Sequence, residues 1–156
     1  MTDMPLNKQN IVLTEAQESD RSFFIKVHHT AYRSVIEEMF GWDSELQLDY
    51  ANAAFDSKNI HVIWLDKEKV GVVGIDIKSD HVWLKQLFLL PEQQRKGVGS
   101  FAVQWCIEIA RKHQKDLKLQ TLKSNSGAVV FYQKLGFELI EDSDVHWKLS
   151  LPYSEM

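Results

Sequence analysis

The stretch PEQQRKGVGSFAVQW, residues 91–105, sets Gly97 and Gly99 one residue apart behind the basic pair Arg95 and Lys96, then runs into an apolar, helical pattern. A loop of this kind can turn its backbone N–H groups toward one point with no side chain blocking the approach. The start of the helix adds roughly half a positive charge to the full charges of the two bases. That chemistry suits a phosphate or pyrophosphate; the plainer account is a strand-to-helix turn eased by glycine. A nucleoside-triphosphate loop is excluded, because it needs Lys and then Ser or Thr after its last glycine, and here Ser100 and Phe101 follow Gly99. Gly97 to Ala102 does satisfy the dinucleotide pattern G-x-G-x-x-A. However, the next strand ends in TLKS with no acid at its tip, and five residues, Glu92 to Lys96, separate the loop from Pro91. A dinucleotide-binding oxidoreductase is therefore a distant third reading.

Other reactive residue types are sparse. Cys106 is the only cysteine, so it has no partner for an internal disulfide, and it falls on the apolar side of a helix as a small core residue. The six histidines show no metal-ligand spacing, so no metal is expected. The net charge of -4 argues against nucleic-acid binding, which rests on clustered bases. Its distribution is uneven. Residues 34–57 hold six carboxylates (Glu37, Glu38, Asp43, Glu45, Asp49, Asp56) and no Lys or Arg, whereas residues 91–123 hold seven bases against three acids. Either these are two solvated faces, or an anionic ligand binds at one place and a cationic one at another.

The elements that must position these residues follow from periodicity. IVLTEA (11–16) reads as a strand. Asp20 caps a helix marked by Phe24, Val27, Ala31 and Val35, which stops at Gly41. A second helix covers 44–55. Residues 60–65, 70–78 and 81–90 are β-rich and joined by short turns, hence an antiparallel meander. A long helix begins near Gly99, with Val98, Phe101, Ala102, Trp105, Cys106, Ile109 and Ala110 on one face. A strand at 117–122, a short helix at 126–135 ending before Gly136, and strands in FELI and VHWKLSL complete the order β-α-α-β-β-β-α-β-α-β-β, a mixed α/β (α+β) fold. The 156 residues fit one domain, 1–156, with 1–10 as a flexible N-terminal segment. No apolar run approaches the roughly 18 residues of a membrane helix, and the start lacks a signal peptide's features, so a cytoplasmic protein without a membrane partner is expected.

The run LFLLPEQQRKGVGS, residues 87–100, resembles the acetyl-coenzyme A signature Q/R-x-x-G-x-G/A of the GNAT superfamily of N-acyltransferases, through Gln94, Gly97 and Gly99. NSGAVVFYQKLGFELI, residues 125–140, resembles the same family's following motif of asparagine, short helix, aromatic-tyrosine pair and Lys-x-Gly-Phe. The resemblance extends over nearly the whole chain. It implies a GNAT-like fold, a mixed central sheet of six or seven strands with about four helices, and acetyl-CoA as co-substrate.

Carried over residue by residue, it also implies roles. The backbone of Arg95, Lys96, Gly97, Val98, Gly99 and Ser100, with Gln94, would hold the pyrophosphate, and strand residues Leu87, Phe88 and Leu89 would offer backbone groups to the pantetheine arm of a sheet splayed there. Asn125 would contact that arm or cap its helix. Tyr132 would protonate the departing thiolate. Many relatives place a glutamate base on the strand before the loop; this chain has Lys85, Gln86 and Leu87, and Gln86 takes no proton. His28, Glu37, Glu38 and His146 are the candidate bases or substrate contacts. The first two helices would flank the acceptor, with Tyr32, Phe40 and Trp42 lining a pocket. The expected activity is N-acetylation of a primary amine, a small molecule or a peptide lysine or N-terminus. The alternative is a GNAT-fold acetyl-CoA sensor without turnover. Edge strands near the C-terminus make a homodimer plausible.

Overall fold

A computed structural model of the chain describes residues 10–94 and 97–156. The N-terminal segment expected to be flexible therefore lies outside the described residues up to residue 9, as do Arg95 and Lys96 of the glycine loop. The elements, in order, are β1 (Ile11–Glu15), α1 (Arg21–Phe40), α2 (Ser44–Asp56), β2 (Ile60–Leu65), β3 (Glu68–Ile77), β4 (His81–Leu89), α3 (Val98–Lys112), β5 (Asp116–Leu122), α4 (Ser126–Lys134), β6 (Glu138–Asp142) and β7 (His146–Leu151). This is the order read from periodicity. The seven strands form one mixed sheet in the order β1-β2-β3-β4-β5-β7-β6. β1 and β2 pair antiparallel, as do β2 and β3, and β4 and β5 pair parallel. The registered β4–β5 pairs end at Leu84 and Leu119, while β4 runs on to Leu89.

The contacts divide the chain into two compact units, one of residues up to 74 with 86–102, the other of 75–85 with 103–156, so β3, β4 and α3 each pass from one to the other. In the first unit, Phe24, Val27, Ala51, Ile60 and Val72 form a core against which Phe55, Phe88 and Leu90 pack. Fully burying each of Phe24, Val27, Ile60 and Val72 stabilises the fold by about 1.5–3 kcal/mol. Arg21 ties the start of α1 to the end of α2: it binds Glu18, Asp56 and, at 2.9 Å, Asn52, and lies over the Phe55 ring. Asp20 does stand at the helix start, but its carboxylate is spent elsewhere. It accepts the Gln17 N–H at 2.8 Å and pairs with Lys69 at 2.6 Å, closing a 3-10 turn at Glu18–Asp20 that hydrophobic periodicity does not reveal. Burial raises this carboxyl, yet those two donors together hold it below the usual carboxylate range.

In the second unit the buried hydrophobic residues are Ile75, Val82, Leu84, Val103, Cys106, Ile107, Ala110, Leu117, Leu119, Leu122, Tyr132, Phe137, Leu149 and Leu151. The buried face of α3 differs from the expected one: Val98, Ala102, Cys106 and Ala110 are flanked by Val103 and Ile107, with Phe101, Trp105 and Ile109 only half-buried. Both flanks are at helical spacing, and the compact β-branched pair takes the inner position while the bulky rings cover its margin. Among the described residues no helix is long and apolar enough to cross a membrane.

Candidate functional site

In the first unit, α1 presents His28 from the centre of the helix, 5% exposed. Its ring stands 5.6 Å from Tyr32 one turn on, 5.3 Å edge-on from Phe88 of β4 and 6.4 Å from Phe24. Neighbouring residues on a helix ordinarily point apart. Here His28 and His29 nevertheless bring their Nδ1 atoms to 3.0 Å, a distance at which one ring must donate and the other accept. His29 in turn meets the Trp42 ring at 5.2 Å, and the Arg33 guanidinium lies 5.2 Å from the same indole. Burial, followed by the neighbouring His29, pushes the His28 imidazole down to about 4. Burial also lowers His29, helped by Arg33, and raises the Tyr32 phenol.

β3 and β4 come unusually close beside this group. A Cβ on Gly71 would stand 2.5 Å from the Phe88 carbonyl oxygen and 2.6 Å from Leu89 Cδ2, so only glycine fits there. Leu90 N–H then donates to the Val70 carbonyl at 3.0 Å. After the 3-10 turn Pro91–Gln93, Gly97 takes φ +82°, a left-handed conformation that favours glycine, and its carbonyl accepts the Phe101 N–H. α3 begins at Val98, so Gly99 belongs to the first turn rather than preceding it. The amides of Val98, Gly99 and Ser100 consequently have no acceptor within the helix and sit at its positive end.

In the second unit, Tyr132 lies on α4, 8% exposed, with its ring edge-on to Phe131 at 5.0 Å and to Phe137 at 5.4 Å. Burial, with Cys106 adding to it, holds the phenol well above its ordinary range, so it keeps its proton. Cys106 is buried and its thiol is pushed up to about 12, the state of an inert core residue. Asn125 stands at the N-terminus of α4 without a side-chain cap bond. His146 opens β7, half-buried, exchanging bonds with the Ser143 hydroxyl; burial and Lys148 lower its imidazole.

The structure thus brings His28, Tyr32 and Phe88 together, and joins Trp42 to them through His29. It leaves Glu37 and Glu38 exposed, with Glu37 bound to Arg33 at 2.6 Å, and Phe40 is 59% exposed at the end of α1. Gln94 is exposed at the end of its turn. His29 is the residue that sequence reasoning passed over, and the HH pair was its only signal. No group of three His, Cys, Asp or Glu side chains among the described residues could hold a metal ion.

The fourth strand of the mixed sheet thus leads through a turn at Gly97 into the start of α3. The family model described as acetyltransferase (GNAT) family matches residues 18–137, and the chain belongs to that family. Among solved structures it is similar to the paia N-acetyltransferase of Thermoplasma acidophilum in complex with coenzyme A, with 18% identity over 92% of this chain and 99% of that one, TM-score 0.74. It is also similar to the ribosomal-protein-S18-alanine N-acetyltransferase of Escherichia coli, 16% identical over 92% and 94%, TM-score 0.71. A third is Arabidopsis thaliana Naa50 in complex with the bisubstrate analogue CoA-Ac-MVNAL, 14% identical over 90% and 97%, TM-score 0.68. No curated protein matches the sequence.

Proposed function

We propose that this acetyltransferase moves the acetyl group of acetyl-CoA directly onto a primary amine, both substrates being bound together. The observation that carries the reading is Tyr132: a buried phenol kept protonated, in the motif position that the resemblance assigns to the proton donor. The pyrophosphate would bind the amides of Val98, Gly99 and Ser100, which have no acceptor within the helix, and the pantetheine amides would bind the backbone of Leu87, Phe88 and Leu89, where the registered β4–β5 pairs have ended. Asn125, free of capping duty, would contact the same arm.

The amine nitrogen attacks the thioester carbonyl, the resulting oxyanion collapses, the carbon–sulfur bond breaks, and the sulfur takes the Tyr132 proton. A lysine-like ammonium has a pKa near 10 and must first lose a proton. His28, packed against Tyr32 and Phe88 with a lone pair on its neutral ring, is the candidate we favour to relay it to water, although burial makes that ring a weak base. Glu37 and Glu38 are less suited, being exposed and, for Glu37, engaged by Arg33. Tyr32 and Trp42 would line the acceptor's path. The names of the Escherichia coli and Arabidopsis thaliana structures point to peptide amines for those proteins, which places peptides beside small amines as acceptors to test.

Gln86 in place of a strand base is what favours the second reading, an acetyl-CoA-binding module without turnover. Thiol release from acetyl-CoA against polyamines, amino acids, aminoglycosides and peptides, with Tyr132→Phe alongside, separates the two. Amine-dependent release that collapses in the variant supports the transferase. Binding of acetyl-CoA with silence across the panel supports the sensor.

A further inference from the structure

The side-chain oxygen of Gln86 is buried and has no hydrogen-bond partner among the described residues. Its neighbour Lys85 turns to Asp76, at 3.1 Å, and leaves it unserved. Two residues on along the same extended strand, and hence on the same face, Phe88 meets the rings of His28 and Tyr32, each at 5.3 Å. A buried acceptor left unpaired is unfavourable and uncommon, so the atom calls for a donor that the described residues do not supply. We propose that Gln86 is a specificity-determining contact for the acceptor substrate, its Oε1 accepting an N–H of the primary amine.

The inference rests on the amine-acetylating reading above and sharpens it. An amide oxygen accepts a hydrogen bond but takes up no proton, so Gln86 holds and orients the nitrogen while deprotonation falls to another group. It also selects: an alcohol can offer one O–H, whereas an amine keeps an N–H for Gln86 after losing the proton that frees its lone pair. Two N–H sources belong to the reaction, the acceptor and the amides of the coenzyme A arm. The amine is favoured because the arm is matched by strand backbone, while this side chain shares its face with Phe88 and so with the aromatic group around a neutral imidazole.

The test is a titration of protein carrying nitrogen-15 in its glutamine side chains, first with coenzyme A, then with n-butylamine and with trialanine amide. Gln86→Met identifies the Gln86 signal by its disappearance. We expect the Gln86 amide pair to move with either amine and saturate, after little response to coenzyme A alone. Movement with coenzyme A and none on adding amine would hand the oxygen to the cofactor arm, and no movement with any of the three would remove the contact; both overturn the proposal. Because this readout needs no turnover, a chain that shows the amine-dependent shift and transfers nothing would sink the enzymatic reading and leave the contact standing. With turnover, Gln86→Met should raise the acceptor KM about tenfold or more at an unchanged acetyl-CoA KM, and Gln86→Glu should recover it. Equal losses in both constants would mark a merely structural role and count against the proposal.

Discussion

His28 on α1 and Tyr132 on α4 are both buried titratable side chains packed by aromatic rings, yet burial moves them in opposite directions. The imidazole is pushed down and the phenol up, because burial disfavours whichever form is charged, the protonated ring in one and the deprotonated ring in the other. Each is therefore neutral at physiological pH, with opposite chemical consequences: His28 keeps a lone pair and Tyr132 keeps a proton. Environments that separate two groups in this way are how a protein assigns an acceptor and a donor of protons. Their settings differ too, since His28 has a polar neighbour at 3.0 Å in His29, whereas the Tyr132 ring is wedged by Phe131 and Phe137.

The largest effect should come from the donor. Tyr132→Phe is expected to lower kcat by about a hundredfold to ten-thousandfold with the KM for acetyl-CoA unchanged, read by thiol release. A retained kcat would remove the proton-donor half of the comparison. Next comes the imidazole, through stability. Burial holds its folded pKa at about 4, below the ordinary imidazole value of 6.5, so between those pH values the unfolded chain binds a proton that the folded one does not. Its contribution is present above pH 6.5 and is lost as the pH falls toward 4, on the order of 3 kcal/mol at most. Urea midpoints should fall over that window in the wild-type chain and fall less in His28→Phe; identical slopes would mean the ring is not held neutral. Gly71→Ala should cost about 1–3 kcal/mol of stability by the same measurement, since the added methyl meets backbone at Phe88 that cannot move aside. Smallest is Glu37→Gln, which breaks an exposed ion pair with Arg33 worth about 0.5 kcal/mol or less and should leave turnover unchanged. A large loss of kcat there would transfer the acceptor role from His28 to the surface carboxylate.

Much of the frame was legible because it is local. Gly41 and Gly136 stop their helices with positive φ, the β-branched run of β3 reads as a strand, and Gly97 takes the left-handed turn before α3. What escaped depends on three-dimensional placement. Asp20 is a natural cap from its position, but its bond to Lys69 joins residues 49 apart in sequence. Sequence reasoning singles out His28 and passes over His29, because adjacent helix residues do not ordinarily meet; only the structure puts their ring nitrogens in contact. Gln86 reads in the sequence only as a missing base; that its oxygen is buried and unmatched is a property of what surrounds it. The different exposures of Phe40 and half-buried Tyr32, both aromatic and both on α1, likewise follow from which side of the helix meets β4.

β6 forms one margin of the sheet and pairs with β7 alone. All five of its residues are exposed, and Glu138, Glu141 and Asp142 dominate them, with Lys148 and Lys123 answering the last two from within the chain. A second copy adding antiparallel to this margin with its twofold axis at Ile140 would set Glu138 against Asp142, like charge against like, and the register shift between Leu139 and Glu141 would interrupt the ladder. The acidic residues and register shift of β6 are features that discourage strand addition at an edge, set against the exposed Leu139 and Ile140 that would favour it.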